Sequence, residues 1–143
     1  MHTERIGIFK KENPGKDFPK FVEVSAEECK RISAMLSQKF LKDTYSGLDL
    51  LSQLIKKSKR QSNVDATLES FSLLSVLKEN GISVSEDGYV DYYRLDRMLR
   101  MRMQDIDSYF PYLFYPSADD IQIFDTTLSW MIFIAHDGEV FIL

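Results

Sequence analysis

The sequence predicts a single α+β domain over residues 1–143, with about four helices packed on one face of an antiparallel sheet. Several stretches with apolar residues at helical spacing precede a tail of three short apolar strands joined by turns. Segregated runs of helices and strands are typical of this class. Of the 143 residues, 44% are hydrophobic and 13% aromatic, which suffices for one well-packed core.

The N-terminal part is predicted to contain two short strands, residues 6–9 and 18–24, separated by a charged turn with a Pro-Gly pair. A capping box follows, in which the Ser25 oxygen accepts from a free backbone amide and Glu28 reaches back. It opens a first helix that ends near Lys42, with one continuous apolar face.

The middle of the chain is predicted to be helical for most of its length. A second helix begins near Leu48 and ends in a cluster of cations at residues 56–60, which suits the negative end of the helix dipole. A third covers residues 64–79 and stops at an Asn-Gly pair. Residues 82–90 indicate a small hairpin.

A fourth helix is predicted from Tyr92 to about Gln104, capped by Asp91. Residues 105–114 are either its continuation or a separate turn, because Pro111 disfavours one straight helix.

The C-terminal tail predicts an antiparallel meander. Its three strands are residues 121–124, 130–135 and 140–143, and the second turn contains an Asp-Gly pair. The last strand is very apolar, so we expect it to be interior or covered, since an exposed edge of that kind invites aggregation.

Charge is distributed unevenly along the chain. Residues 1–60 carry thirteen basic and eight acidic side chains, a net +5, whereas residues 61–143 carry −9. No lysine or arginine occurs from Met103 onward. Seven carboxylates do occur there: Asp105, Asp107, Asp119, Asp120, Asp125, Asp137 and Glu139. Such asymmetry usually concerns partners rather than the fold.

Composition argues against several classes of protein. The longest apolar stretch, residues 130–135, is too short to cross a bilayer, and the N-terminus lacks the apolar run of a secretory signal. The single cysteine, Cys29, excludes an intrachain disulfide and fits a reducing compartment. We therefore expect a cytoplasmic protein with no membrane association. Two histidines and one cysteine cannot form a conventional zinc site, and we expect no metal or other cofactor.

The acidic tail supports two interpretations. On the first, the carboxylates only keep loops solvated. On the second, they form a surface for a cationic protein partner, and their unbroken negative charge would steer that partner toward the surface. On the second interpretation Tyr115 is a packed anchor. The predicted partner-binding residues are Asp119, Asp120, Asp125, Asp137, Glu139 and Tyr115.

Two other functions compete with protein binding. The fourth helix would carry an arginine ridge suited to phosphates, formed by Arg94, Arg97, Arg100 and Arg102. Nucleic acid is nevertheless disfavoured, because the acidic tail would repel the same polyanion. An enzyme using His136 with Asp119 or Asp120 is a third hypothesis. The chain lacks phosphate-loop, dinucleotide and nucleophile-elbow motifs, so we expect a protein without catalytic activity.

The tail also resembles a known class of proteins. The resemblance covers the stretch from Tyr115-Pro116-Ser117-Ala118-Asp119-Asp120 through His136-Asp137-Gly138-Glu139-Val140 and the tryptophan-bearing hairpin between. In these features, and in its size and acidity, the chain is similar to the immunity proteins of bacterial toxin–immunity systems, including contact-dependent growth inhibition. The resemblance implies a protein that neutralises one cognate toxin effector domain by blocking its site. The oligomeric state is left open.

Overall fold

A computed structural model describes residues 2–92 and 94–143 of the protein. Within them an antiparallel sheet packs against helices and ends in a meander, which confirms the predicted α+β class. The helices are α1 (His2–Glu12), α2 (Ala26–Leu41), α3 (Gly47–Lys57), α4 (Leu73–Glu79), α5 (Met103–Ser108) and α6 (Phe110–Leu113). The strands are β1 (Val22–Glu23), β2 (Lys59–Arg60), β3 (Asp87–Asp91), β4 (Met98–Arg102), β5 (Ile121–Asp125), β6 (Ile132–Ile134) and β7 (Val140–Ile142).

The strands follow the order β1-β4-β3-β5-β6-β7-β2, and neighbouring strands are antiparallel. The predicted meander is β5-β6-β7, and β7 lies inside the sheet between β6 and β2. The expectation that the last strand is covered is therefore confirmed. Both edges are strands of only two residues with exposed side chains, which limits edge-to-edge association.

Helices cover both faces of the sheet, whereas the sequence predicts helices on one face. One core cluster joins Val90, Ile123 and Ile132 to α4, α5 and α6. The other joins Tyr89 and Phe124 to α2 and α3. Both faces need cover because the central strands are apolar on both sides, and every residue of β5 and β6 is buried.

The N-terminal segment predicted as a strand is the helix α1. A short apolar run fits either structure, and tertiary contacts decide here. Phe9 is 1% exposed and packs edge-on against Phe18, Tyr109 and Tyr112, with ring centroids 5.1–5.6 Å apart. The second predicted strand, residues 18–24, is reduced to β1.

The first helix is confirmed as α2, with Ser25 Oγ accepting from Glu28 N at 3.2 Å. The second is α3, although the cations at its end continue into β2. The third is much shorter than predicted: α4 begins after an N-cap at Ser72, whose Oγ accepts from Ser75 N at 3.3 Å.

The fourth helix prediction is wrong. Its span contains the β3–β4 connection and then β4, which pairs with β3 from Asp87↔Arg102 to Asp91↔Met98, and α5 begins only at Met103. The predicted hairpin of residues 82–90 is also absent from the described chain, because Asp87–Asp91 pairs with β4 and β5 instead. Tyr93, within the predicted helix, lies outside the described residues. In the part described, no helix combines the length and apolar character needed to span a membrane.

Candidate functional site

Asp119, a predicted contact residue, is paired inside the protein. Its Oδ1 accepts from Arg5 Nη2 at 2.9 Å, and the two side chains are only 10% and 5% exposed. Its Oδ2 accepts from Tyr115 N at 2.7 Å. The carboxylate therefore joins α1 to the segment before β5, and its charge is neutralised where it lies.

Arg5 lies between two aromatic rings. Its guanidinium carbon is 4.8 Å from the ring centroid of Tyr92 and 4.3 Å from that of Tyr115, and Nη1 donates to Leu113 O at 3.1 Å. Burial raises the pKa of Tyr92 well above its usual value, more than the nearby Arg5 charge lowers it. The Tyr115 hydroxyl is buried, so this side chain packs against the protein's own cation rather than projecting as an anchor.

Asp125 is also unavailable to a partner, because it is fully buried at the end of β5. Its carboxylate accepts from Ser85 N at 2.8 Å, Thr127 N at 2.9 Å and the Thr127 hydroxyl. Burial acts to raise the pKa of Asp125, but these hydrogen bonds outweigh it and leave the pKa below its usual value. Asp125 thus holds the β5–β6 connection to the segment before β3.

The three remaining predicted carboxylates lie together at the turn between β6 and β7. Asp137 and Glu139 belong to that turn, and Asp120 contacts it from the start of β5. A fourth carboxylate, Asp65, lies directly against Gly138 of the same turn. We call this group the acidic turn surface: Asp65, Asp120, Asp137 and Glu139.

Asp65 was missed because residues 64–79 were predicted to be helical. It instead makes an Asx turn, with Oδ1 accepting from Thr67 N at 2.9 Å and Thr67 Oγ1 at 2.6 Å, and these bonds lower its pKa. Ala66 N then donates to Gly138 O at 3.0 Å. The Asp-x-Thr spacing was the available signal for a turn.

Gly138 allows this close approach. Its φ of +93° favours glycine, and a Cβ atom would come within 2.1 Å of Asp65 Oδ1. Opposite charge at the surface comes from Arg60 on β2, whose Nη2 lies 3.3 Å from Glu139 Oε1. Both side chains are well exposed, so this pair contributes at most about 1 kcal/mol.

His136 and Asp120 are within hydrogen-bonding distance, as the enzyme hypothesis requires. His136 Nδ1 lies 3.0 Å from Asp120 Oδ1, which also accepts from His136 N at 2.7 Å. The same oxygen therefore holds both the backbone and the ring of one residue, an arrangement that orders the turn. The side chains are 58% and 64% exposed, far from the enclosed setting in which such a pair gains catalytic strength.

The four arginines of the nucleic-acid hypothesis do not form a helical ridge. Arg94 and Arg97 lie in the β3–β4 connection, and Arg94 has a φ of +50°. Arg100 and Arg102 alternate outward on β4, where Arg100 Nη2 pairs with Asp87 Oδ2 at 3.1 Å. The described chain contains no group of three histidine, cysteine or carboxylate side chains placed to hold a metal ion.

Comparison with other proteins adds no further constraint on the site. Neither the family models, nor the curated proteins, nor the solved structures contain a match to this chain.

Proposed function

We propose that the protein is a non-catalytic binding protein that neutralises a cationic protein partner through the acidic turn surface. The bacterial toxin effector domains implied by the sequence resemblance are the partners that fit best. The observation that carries this proposal is the gathering of four carboxylates around one turn, one of which, Glu139, pairs with Arg60.

The surface is suited to electrostatic recognition because its charges are accessible. Asp120 and Asp137 are exposed, and Asp65 and Glu139 are partly so. Its position at the end of the sheet leaves these carboxylates facing solvent, where they accelerate the approach of a basic partner at low ionic strength. Asp119, Asp125 and Tyr115 are not part of the proposed contact. Their contacts instead hold in place the backbone segments that carry the exposed acids.

Co-expression with a candidate toxin tests the proposal. Where a large secreted protein is encoded immediately upstream, its C-terminal domain is the candidate. The chain is produced together with that domain, and growth and co-purification are measured. We expect growth to be restored by the wild-type chain and lost with the double substitution Asp120→Lys and Asp137→Lys.

The matched control reverses two exposed acids elsewhere, Glu79→Lys and Glu86→Lys. This variant has the same net charge as the test variant, so it separates a local surface from overall charge. Equal protection by both variants, or a partner that co-purifies with neither the wild type nor the control, would contradict the proposal.

A further inference from the structure

A cationic groove lies at the opposite edge of the sheet from the acidic turn surface. It is open to solvent and has a volume of about 620 Å³ between α1, the segment around β1 and the β3–β4 pair. The acidic turn follows β6 near one end of the strand order, whereas β1 and β4 form the other end. Four cationic side chains line the groove: Lys10, Lys20, Arg100 and Arg102.

The groove retains an excess of positive charge. It contains two carboxylates, Asp17 and Asp87, and Asp87 is occupied by Arg100. Arg102 donates to the neutral Gln104 Oε1 at 3.3 Å, which leaves its charge uncompensated by that contact. Over residues 2–92 and 94–143, neither Lys10 nor Lys20 forms an ion pair.

Apolar side chains line the same space. Phe18 and Phe21 contact each other edge-to-face at a centroid distance of 5.9 Å, and Phe18 also packs on the buried Phe9. Val22, on β1, is 63% exposed and presents an apolar side chain to solvent beside these rings. Fixed rings and an exposed aliphatic side chain beside cations make an amphipathic surface.

We propose that this groove binds an acidic, amphipathic peptide segment of a partner protein. Carboxylates of such a segment pair with Lys10, Lys20 and Arg102, and its apolar side chains pack on Phe18 and Val22. A volume of about 620 Å³ lies within the range of ligand sites and holds a few side chains. This inference does not depend on the proposed function, because it concerns the other edge of the sheet and a partner of opposite charge.

The charges favour a peptide over a nucleic acid. A continuous phosphate backbone would meet Asp17 and Asp87 within the groove and would bring no apolar group to the aromatic lining. A peptide places its carboxylates at intervals and brings apolar groups between them. It therefore satisfies both the cations and the aromatic lining.

The test uses the whole chain labelled with ¹⁵N and an eight-residue peptide of alternating glutamate and leucine. We expect saturable amide shifts confined to α1, residues 17–23 and β4. The double substitution Lys20→Glu and Arg102→Glu should weaken binding about tenfold, and rising salt should weaken it further. The matched control, Lys30→Glu and Lys56→Glu, changes two exposed cations elsewhere and should bind as the wild type does.

Three results would overturn the inference. They are no saturable shift at millimolar peptide, equal loss of affinity in the test and control variants, and tighter binding of a twelve-nucleotide oligothymidylate than of the peptide. A lysine–leucine peptide of the same length should not bind at this edge. The variant Asp120→Lys and Asp137→Lys should retain the peptide, so failure at one surface is distinguishable from failure at the other.

Discussion

Two groups of carboxylates differ in their surroundings: the interior residues Asp119 and Asp125, and the exposed acids of the acidic turn surface. All of them except Asp65 come from the segment after Met103 that contains no lysine or arginine. Asp119 pairs with Arg5, and Asp125 accepts three hydrogen bonds with no solvent exposure. Asp120, which follows Asp119 directly, and Asp137, which lies between β6 and β7, face solvent. The interior pair therefore maintains the fold, while the exposed acids remain available to a partner.

This difference shows that local sequence charge is a poor guide to surface charge. Asp119 and Asp120 are adjacent in the sequence. Asp119 pairs with the guanidinium of Arg5, 114 residues away, whereas Asp120 accepts a hydrogen bond from His136 N in the turn before β7. Substitutions at the two kinds of position should consequently separate stability from binding.

The largest effect is expected for Asp119→Ala. It leaves the buried Arg5 guanidinium without its carboxylate, and breaking a buried pair in this way costs roughly 3–5 kcal/mol. Urea denaturation at neutral pH measures the loss. The double variant Arg5→Met and Asp119→Leu should be more stable than Asp119→Ala, because no buried charge is left alone; a less stable double variant would contradict this explanation.

A smaller loss is expected for Asp125→Asn, at about 1–3 kcal/mol, because an amide nitrogen would face one of the backbone donors. The folded pKa of Asp125 is lowered, so its stabilisation is present above the unfolded value of about 3.9 and is lost as pH falls through the folded pKa. The difference in unfolding free energy between wild type and variant should therefore shrink from pH 7 to pH 2.5. A constant difference would show that ionisation is not the cause.

Gly138→Ala tests the contact between the β6–β7 turn and the Asp65 segment. A φ of +93° and contact with Asp65 oppose any side chain there, and the conformational term alone is about 1–2 kcal/mol. The companion variant Gly7→Ala adds a methyl group in α1, where nothing lies within 4 Å, and should not destabilise the protein. Similar melting temperatures for the two variants would argue against a tight turn.

The smallest effect on stability is expected for Asp120→Lys with Asp137→Lys. Both residues are exposed, so the backbone amides of His136 and Glu139 that donate to them can bond to water instead, and each substitution should cost less than about 1 kcal/mol. Circular dichroism should show an unchanged fold and a melting temperature close to that of the wild type. A large loss would mean that the contacts of Asp120 with His136 are structural and would remove this variant as a test of binding.

The parts of the fold that depend on nearby residues were predictable. The Ser25 cap of α2, the Asp137-Gly138 turn and the meander follow from short-range patterns. The strand β4 was not predictable in this way, because residues 95–103 have apolar positions at both helical and alternating spacing. Pairing with β3 selects the strand, with Leu99 and Met101 buried and Arg100 and Arg102 outward.

The site was predictable only in part. Asp120, Asp137 and Glu139 do gather at one turn, which follows from a meander whose second turn contains the Asp-Gly pair. The burial of Asp125 and the pairing of Asp119 depend on Ser85 and Arg5, which are 40 and 114 residues away. Asp65 reaches the surface through the bond from Ala66 N to Gly138 O, a contact that no local pattern indicates.

The placement of β1 and β2 at the two edges of the sheet has a consequence for the order of assembly. In the sheet, Val22 pairs with Arg100 and Lys59 pairs with Ile142. The two strands in the first half of the chain therefore have no partner strands until most of the second half has been synthesised. Pairings between residues so distant in sequence close slowly, because the entropy of the long loop is lost before the contacts form. A nascent chain would therefore complete its sheet only after α2 and α3, which pack on that sheet, have long been synthesised.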